Sequence, residues 1–178
     1  MAKNAVPNIF TFANLACGIL SILMTFQANS LDQSNYRLAC YFILAAAFID
    51  RYDGRVARFL NVSSDLGKEL DSLADLVSFG VAPSILVFSL YNFSNLGVIG
   101  YLLVLIFPIA GAYRLARFNT TNLHNVFMGV PITIAGSFLA LYSLITISLG
   151  HFSNLALSIS LIIISSYLMV SKFKIKKV

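Results

Sequence analysis

The chain has 178 residues, of which 58% are hydrophobic and only 11% are charged, and its mean hydropathy is +0.85. These values exclude an ordinary soluble domain, because such domains carry about 25% charged residues. The net charge of +5 indicates no nucleic-acid partner, since basic residues at a membrane face can meet anionic headgroups or phosphates. We predict a membrane protein that forms a single domain over residues 1–178.

Apolar runs of membrane-spanning length recur along the whole chain. A bilayer core of about 30 Å requires about 20 helical residues, and polar segments such as "QANSLDQSN" and "LGHFSN" separate the runs. The six predicted spans cover residues 8–28, 36–60, 65–91, 96–117, 130–149 and 154–172. Because six is an even number, both termini are expected on the same side of the membrane.

The basic residues are divided unequally between the two ends of these spans. Of the 12 Lys and Arg residues, only Arg37 falls on the side away from the termini. Cytoplasmic ends of membrane helices are enriched in Lys and Arg. The predicted fold is therefore an all-α integral membrane protein of the cell membrane, with six transmembrane helices and both termini in the cytoplasm. The lysines of the "KFKIKK" tail are interpreted as solvated.

Residues 50–75 contain six of the seven acidic residues in the chain. Asp50 and Asp53 are three residues apart near the end of the second span, so they share one helical face. Asp71 and Asp75 are four residues apart near the start of the third span and share a face for the same reason. A hairpin between the two helices sets Asp53 level with Asp71 and Asp50 level with Asp75. Four carboxylates are therefore predicted to converge at the cytoplasmic ends of helices 2 and 3. Asp65 and Glu69 are not expected to join them.

Four carboxylates in that position require positive charge nearby. Arg51 and Arg55 fall on other faces of the second helix, so hard divalent cations, in a two-metal arrangement, suit the cluster better. Gly54, Ala57 and Gly67 leave room for a close backbone or a flat ligand. Two alternatives are solvated charges at the interface and a cation or proton transporter. A transporter is disfavoured because the acids lie at one membrane end and no broken-helix repeat is visible.

Eight residues of this segment stand in the pattern D-x2-D-G-x2-A-R-x8-G-x3-D-x3-D. They are Asp50, Asp53, Gly54, Ala57, Arg58, Gly67, Asp71 and Asp75. The pattern resembles the signature of the CDP-alcohol phosphatidyltransferases. This resemblance implies six transmembrane helices, a homodimer, membrane lipids as surroundings, and dependence on Mg²⁺ or Mn²⁺.

The resemblance also implies roles for individual residues. The four aspartates would hold two divalent metals, and Asp75 would also serve as the catalytic base. Arg58 would hold the diphosphate of CDP-diacylglycerol. The other residues implied at the nucleotide are Gly54, Ala57, Ser64 and Gly67, with Asn8, Thr11 and Asn14 closing the pocket from the first helix.

Four further stretches narrow the resemblance. They are "PNIFTFANLACG" at 7–18, "LDSLADLVSFGVAPS" at 70–84, "YRLARFN" at 113–119 and "FMGVP" at 127–131. Together they resemble the bacterial and archaeal phosphatidylserine synthases. The implied reaction transfers a phosphatidyl group from CDP-diacylglycerol to the hydroxyl of L-serine and releases CMP.

The carboxylate of L-serine would also need a partner in the protein. Arg117 is the first candidate and Arg114 the second, with Asn119 nearby and Ser78 about one turn beyond Asp75. Alternatively, both arginines extend to lipid headgroups, and Ser78 bonds a helix carbonyl. Glycerol 3-phosphate and inositol phosphate are alternative acceptors, although each carries a phosphate that would call for a denser basic pocket.

Overall fold

A computed structural model describes residues 5–29, 33–60, 65–120, 126–149, 154–171 and 174–176. The described residues form a bundle of helices with one small pair of strands. A short 3₁₀ turn at Phe93–Leu96 joins the third and fourth helices. The helices are α1 (Ala5–Phe26), α2 (Ser34–Leu60), α3 (Asp65–Leu90), α4 (Val98–Thr120), α5 (Ile132–Ser148) and α6 (Leu155–Val170).

Each of these helices falls on one of the predicted apolar runs. Among the described residues, three helical segments are long and apolar enough to cross a membrane: Asn8–Phe26, Asp65–Leu90 and Val98–Thr120. The helices α5 and α6 are shorter and also apolar. The expectation of a helical membrane protein is thereby confirmed, whereas the number of spans and the side of the termini stay predictions.

The first helix shows how polar and apolar side chains are distributed. Ile9, Phe12 and Phe26 are 63%, 52% and 72% exposed, whereas Thr11 and Asn14 are buried. This distribution is the reverse of that on a soluble helix and is typical of a bundle surrounded by lipid, where polar side chains face the interior. The interior of the bundle is therefore where a polar site can be built.

Helix α3 is the central helix and packs against α1, α2, α4 and α5. The Tyr36 hydroxyl at the start of α2 lies 2.9 Å from the Ser89 hydroxyl near the end of α3, so these two helices run antiparallel. The Tyr91 hydroxyl just after α3 lies 2.7 Å from the Thr146 hydroxyl near the end of α5. Hence α5 runs in the same direction as α3, and its first residues lie beside the first half of α3.

One turn of α3, Leu76–Val81, is a π-helix rather than an α-helix. The sequence predicted one uninterrupted helix there, because nothing in the local residue pattern signals a wider turn. Two glycines of other helices contact this turn closely. A Cβ atom at Gly18 of α1 would lie 2.8 Å from Ser78 Cα, and one at Gly136 of α5 would lie 2.7 Å from Phe79 Cα. The π turn begins directly after Asp75. Such turns are frequent at functional sites.

Replacing Gly136 with alanine is expected to destabilise the protein by about 1–3 kcal/mol, since the new methyl group would meet the backbone of α3. The matched control is Gly111→Ala, whose methyl group would meet the flexible end of the Ile132 side chain. Thermal unfolding in detergent should show a clearly lower midpoint for Gly136→Ala than for Gly111→Ala. Equal midpoints would contradict the close packing at the π turn.

Two short strands, β1 (Val126–Met128) and β2 (Lys174–Lys176), pair antiparallel with Phe127 opposite Ile175. The all-α prediction did not include them, and the lysine tail was interpreted only as solvated. Gly129, with φ +73°, turns the chain directly after β1, and a Cβ there would lie 3.0 Å from the Leu168 carbonyl oxygen. The pairing therefore holds the chain after α6 beside the segment that leads into α5.

Candidate metal and catalytic site

Three aspartates converge between α2 and α3. One carboxylate oxygen each from Asp50, Asp71 and Asp75 lies within 4.8 Å of the others. Asp75 is only 8% exposed, and the other two are partly buried. Helical spacing and the hairpin register predicted this approach, and the structure brings these three residues together.

The remaining residues of the signature in α2 lie where the structure does not describe side chains. The backbone of α2 extends to Leu60, but the side chains of residues 53–60 are outside the described part, as are residues 61–64 altogether. The assignments of Asp53, Gly54, Ala57, Arg58 and Ser64 therefore stay predictions. Gly67 lies in the first turn of α3 and is partly buried.

Asn14 of α1 holds the carboxylate of Asp75. Its Nδ2 donates a hydrogen bond to Asp75 Oδ1 at 3.0 Å, and Ser78 Oγ donates to the Asn14 carbonyl oxygen at 2.9 Å. Asn14 is 1% exposed, and its Oδ1 is buried without a hydrogen-bond partner among the described residues. Asn14 therefore orients Asp75 and offers the site one further oxygen acceptor.

Asn14 was predicted at the nucleotide, and its hydrogen bond to Asp75 was not predicted. The available signal was the spacing of Asn8, Thr11 and Asn14, which puts three polar residues on one side of an apolar helix. Thr11 is 4% exposed and Asn8 is partly buried. This polar side of α1 reaches α3 through Asn14, so α1 forms one wall of the site.

Arg114 of α4 is buried beside the carboxylates. It is 8% exposed, and its Nε is buried without a hydrogen-bond partner among the described residues. Its positive charge interacts with Asp75 and is opposed by that of Arg117. This position does not fit a side chain extended to lipid headgroups, because a buried guanidinium requires charged or polar partners. A small anion at this point would meet that requirement.

Arg117 and Asn119 bind other parts of the protein. Arg117 Nη1 donates to the Val170 carbonyl oxygen at 3.1 Å, and Nη2 donates to the Ser171 carbonyl oxygen at 3.4 Å. Arginine in this position satisfies carbonyls at the end of a helix, here α6. Asn119 Nδ2 donates to Glu69 Oε1 at 3.2 Å and to Ser72 Oγ at 3.0 Å. Asn119 thus connects the end of α4 to the acidic end of α3.

The structure places two serines of α3 differently from the sequence prediction: Ser78 lies away from the predicted contact, and Ser72 lies at the site without having been predicted there. Ser78 was predicted at the bound serine, yet it is fully buried and its hydroxyl donates to Asn14, which supports the alternative that it satisfies a helix carbonyl. Ser72 was not among the predicted site residues, although it follows Asp71 directly and its hydroxyl oxygen accepts a hydrogen bond from Asn119 Nδ2. No motif spacing points to Ser72, because its contact comes from a distant helix.

The three carboxylates form a donor set that suits a divalent cation. At an effective dielectric constant near 20, two charges at 4.8 Å repel each other by about 3 kcal/mol. A cation with a preference for oxygen ligands removes that repulsion, and Mg²⁺ and Mn²⁺ both have this preference. The side chains of Asp50, Asp71 and Asp75 therefore fit such an ion, without distinguishing between the two metals.

The fold and the site together define a class: a helical membrane protein with a partly buried acidic site between the ends of its second and third helices. A family model described as CDP-alcohol phosphatidyltransferase matches residues 4–171. The chain belongs to the CDP-alcohol phosphatidyltransferase family.

Several curated proteins are similar to this chain over nearly its full length. A Bacillus subtilis CDP-diacylglycerol–serine O-phosphatidyltransferase is 41% identical over 96% of this chain and 89% of its own. The Helicobacter pylori protein of the same name, from strain 26695, is 38% identical over 94% and 70%. An archaetidylserine synthase from Methanothermobacter thermautotrophicus is 35% identical over 98% and 70%. The names of these relatives share serine as a reactant or as part of the product.

Proposed function

We propose that this enzyme transfers the phosphatidyl group of CDP-diacylglycerol to the hydroxyl of L-serine, forming phosphatidylserine and CMP. The observation that carries this proposal is the buried Asp75, oriented by Asn14 within the cluster of three carboxylates. The names of the two bacterial relatives, at 41% and 38% identity, supply the donor and the acceptor.

The donor would be held by the acidic signature. Two divalent metals, Mg²⁺ or Mn²⁺, would be bound by Asp50, Asp53, Asp71 and Asp75, and when bound they supply positive charge for the phosphoryl oxygens. Arg58 would hold the diphosphate. The nucleotide would be contacted by Gly54, Ala57, Ser64 and Gly67, and by Asn8 and Thr11 from the wall that α1 provides.

Asp75 would act as the base. A serine hydroxyl is a weak nucleophile at neutral pH and needs a base within hydrogen-bond distance. Asn14 occupies Oδ1 of Asp75, which leaves Oδ2 to accept the proton of the serine hydroxyl. The serine oxygen forms its bond to the phosphorus of the phosphatidyl group, and the bond from that phosphorus to the CMP oxygen breaks. The electron pair leaves with CMP.

Arg114 is the better supported partner for the carboxylate of serine. Its charge is attracted by that of Asp75, and its Nε has no hydrogen-bond partner among the described residues. Both terminal nitrogens of Arg117, in contrast, donate to carbonyls at the end of α6. The sequence favoured Arg117, whereas these contacts support Arg114 as the first candidate. Arg117 and Asn119 then form the outer part of the serine site, and Ser78 contributes by positioning Asn14.

Arg114→Lys is expected to raise the KM for serine by about tenfold or more, since a lysine keeps the charge but loses the paired donors that bind a carboxylate. The KM for CDP-diacylglycerol should change much less. Arg117→Lys serves as the matched control and should alter the serine KM by a smaller factor. A larger effect at Arg117 than at Arg114 would restore the order predicted from sequence.

The acceptor is tested with purified protein in detergent, CDP-diacylglycerol and Mg²⁺ or Mn²⁺. Release of CMP is measured with L-serine, glycerol 3-phosphate and inositol phosphate in separate reactions. We expect CMP with L-serine. Release with glycerol 3-phosphate or inositol phosphate but not with serine would overturn the proposed acceptor.

Three further properties belong to the same proposal. The distribution of basic residues supports a location in the cell membrane, with the acidic site facing the cytoplasm. The exposed apolar side chains on the helices support a surrounding of membrane lipids. The family resemblance supports a homodimer.

Membership in an enzyme family disfavours the alternative of a cation or proton transporter.

A further inference from the structure

Ser72 of α3 has a hydroxyl hydrogen that its own helix does not use. Other serines inside the helices, such as Ser84, Ser148 and Ser160, donate their hydroxyl to the carbonyl oxygen four residues earlier. Ser72 makes no such bond among the described residues, and its oxygen instead accepts from Asn119 Nδ2 at 3.0 Å. A serine hydroxyl can accept and donate at the same time. The Ser72 hydroxyl is therefore held in place with its hydrogen still available to a second partner.

Ser72 lies at the edge of the acidic site and is only partly buried. The segment Asp65–Asp75 is α-helical, so Ser72 is three residues, about 4.5 Å along the helix axis, from Asp75. At about 100° per residue, Ser72 is displaced by about 60° around the helix from Asp75, on the side away from Asp71. Its bond to Asn119 of α4 shows that this is the side on which α4 packs. Ser72 therefore borders the site on its α4 side.

The same side of the site carries the buried arginine of α4. Helices α3 and α4 run antiparallel, since a short connection joins them and Asn119, near the other end of α4, bonds Ser72. Arg114 precedes Asn119 by five residues and so lies about 7.5 Å farther into the bundle. This position agrees with the attraction between Arg114 and Asp75. A guanidinium and a hydroxyl donor therefore flank Asp75 on its α4 side.

These two groups together suit an oxyanion, because both donate hydrogen bonds and one carries positive charge. A phosphoryl oxygen of the donor and the carboxylate of the acceptor share this chemistry. The phosphoryl group would lie at the metal ligands, where Asp50 of α2 meets Asp71 and Asp75, whereas Ser72 is on the other side of Asp75. In L-serine, the carboxylate is two carbon–carbon bonds from the carbon that bears the hydroxyl. With that hydroxyl at Asp75, the carboxylate can reach the α4 side.

We propose that the Ser72 hydroxyl donates a hydrogen bond to the carboxylate of the acceptor L-serine, beside the guanidinium of Arg114. Ser72 is thus an acceptor-binding residue of α3, and Asn119 holds its oxygen from α4. The contact deepens the proposed function and rests on it for the identity of the acceptor.

Ser72→Ala is expected to raise the KM for L-serine by about tenfold, the effect of losing one hydrogen bond to a charged group. The kcat at saturating L-serine and the KM for CDP-diacylglycerol should each change by less than about threefold, since the contact exists before as well as during the reaction. CMP release by purified protein in detergent gives these constants. Binding of Mn²⁺ without substrates, measured by electron paramagnetic resonance, should match wild type because Asp71 keeps its carboxylate.

Two control variants separate the hydroxyl from the packing of α3. Ser72→Thr retains a hydroxyl, and Ser84→Ala removes one that bonds the Gly80 carbonyl within the same helix. Both should keep the KM for L-serine close to that of wild type.

An unchanged KM for L-serine in Ser72→Ala, or an equal rise in Ser72→Thr, would overturn the contact. Weaker Mn²⁺ binding, or an equal rise in the KM for CDP-diacylglycerol, would also overturn it, because Ser72 would then act on Asp71 or on the donor. Absence of CMP release by wild type with L-serine is a different result, which would contradict the proposed function itself.

Discussion

Asp75→Asn is expected to lower kcat for CMP release by about 100- to 10,000-fold, the range associated with a lost general base. The substitution preserves the size of the side chain and an oxygen that can still accept from Asn14 Nδ2, so the local packing should persist. What it removes is the oxygen that takes the proton from the serine hydroxyl. Binding of CDP-diacylglycerol should survive in part, because other residues hold the nucleotide.

The control for this variant is Asp65→Asn in the same helix. Asp65 is exposed, and its carboxylate lies 3.6 Å from Lys68 Nζ on the surface. A surface pair of this kind contributes little to stability, and Asp65 is not part of the cluster of Asp50, Asp71 and Asp75. Turnover by Asp65→Asn should match wild type, and near-normal turnover by Asp75→Asn would reject the role of Asp75 as base.

Asp71→Asn is expected to weaken binding of Mn²⁺ by at least about tenfold and to remove most of the turnover at ordinary metal concentrations. Asp71 contributes one of the three oxygens that lie within 4.8 Å of one another. Its replacement by a neutral amide removes one negative charge from the donor set. Mn²⁺ binding is measured by electron paramagnetic resonance, in which the signal of free aqueous Mn²⁺ falls as the ion binds.

The matched variant for metal binding is Glu69→Gln, two residues before Asp71 on the same helix. Glu69 accepts a hydrogen bond from Asn119 at 3.2 Å, and its amide replacement can accept the same bond. Mn²⁺ binding should therefore remain close to that of wild type in Glu69→Gln. Equal Mn²⁺ binding by Asp71→Asn and wild type would show that the aspartate cluster is not the metal site.

The convergence of Asp50, Asp71 and Asp75 could be predicted from the sequence because it depends on local regularities. Helical spacing places residues three or four apart on one face, and a short hairpin sets the register between two neighbouring helices. The helical class and the approximate bounds of the helices follow from apolar runs for the same reason. These features need no knowledge of how distant helices pack.

Features that depend on distant helices could not be predicted. The π turn at Leu76–Val81 is packed against Gly18 and Gly136, which belong to helices far apart in the sequence. The bond from Asn14 to Asp75 joins residues 61 positions apart. Which of Arg114 and Arg117 is the better candidate for the serine carboxylate likewise depends on how deeply each is buried. An apolar run with two arginines does not specify their burial.

The small strands and Ser72 show the same limit. The pairing of β1 with β2 places the segment before α5 beside the chain after α6, and neither segment has a pattern of its own that indicates a strand. No motif spacing singles out Ser72, so only the hydrogen bond from Asn119 of a distant helix segment reveals its contact with α4.

The most direct test of the proposed reaction is its stoichiometry. Purified protein in detergent is given CDP-diacylglycerol, Mg²⁺ or Mn²⁺ and isotopically labelled L-serine, and both CMP and lipid-bound label are measured in the same samples. The proposed transfer predicts one labelled serine in the lipid fraction for each CMP released, and both products reduced together by at least about 100-fold with Asp75→Asn. CMP released without label in lipid, or label in lipid without CMP, would contradict it.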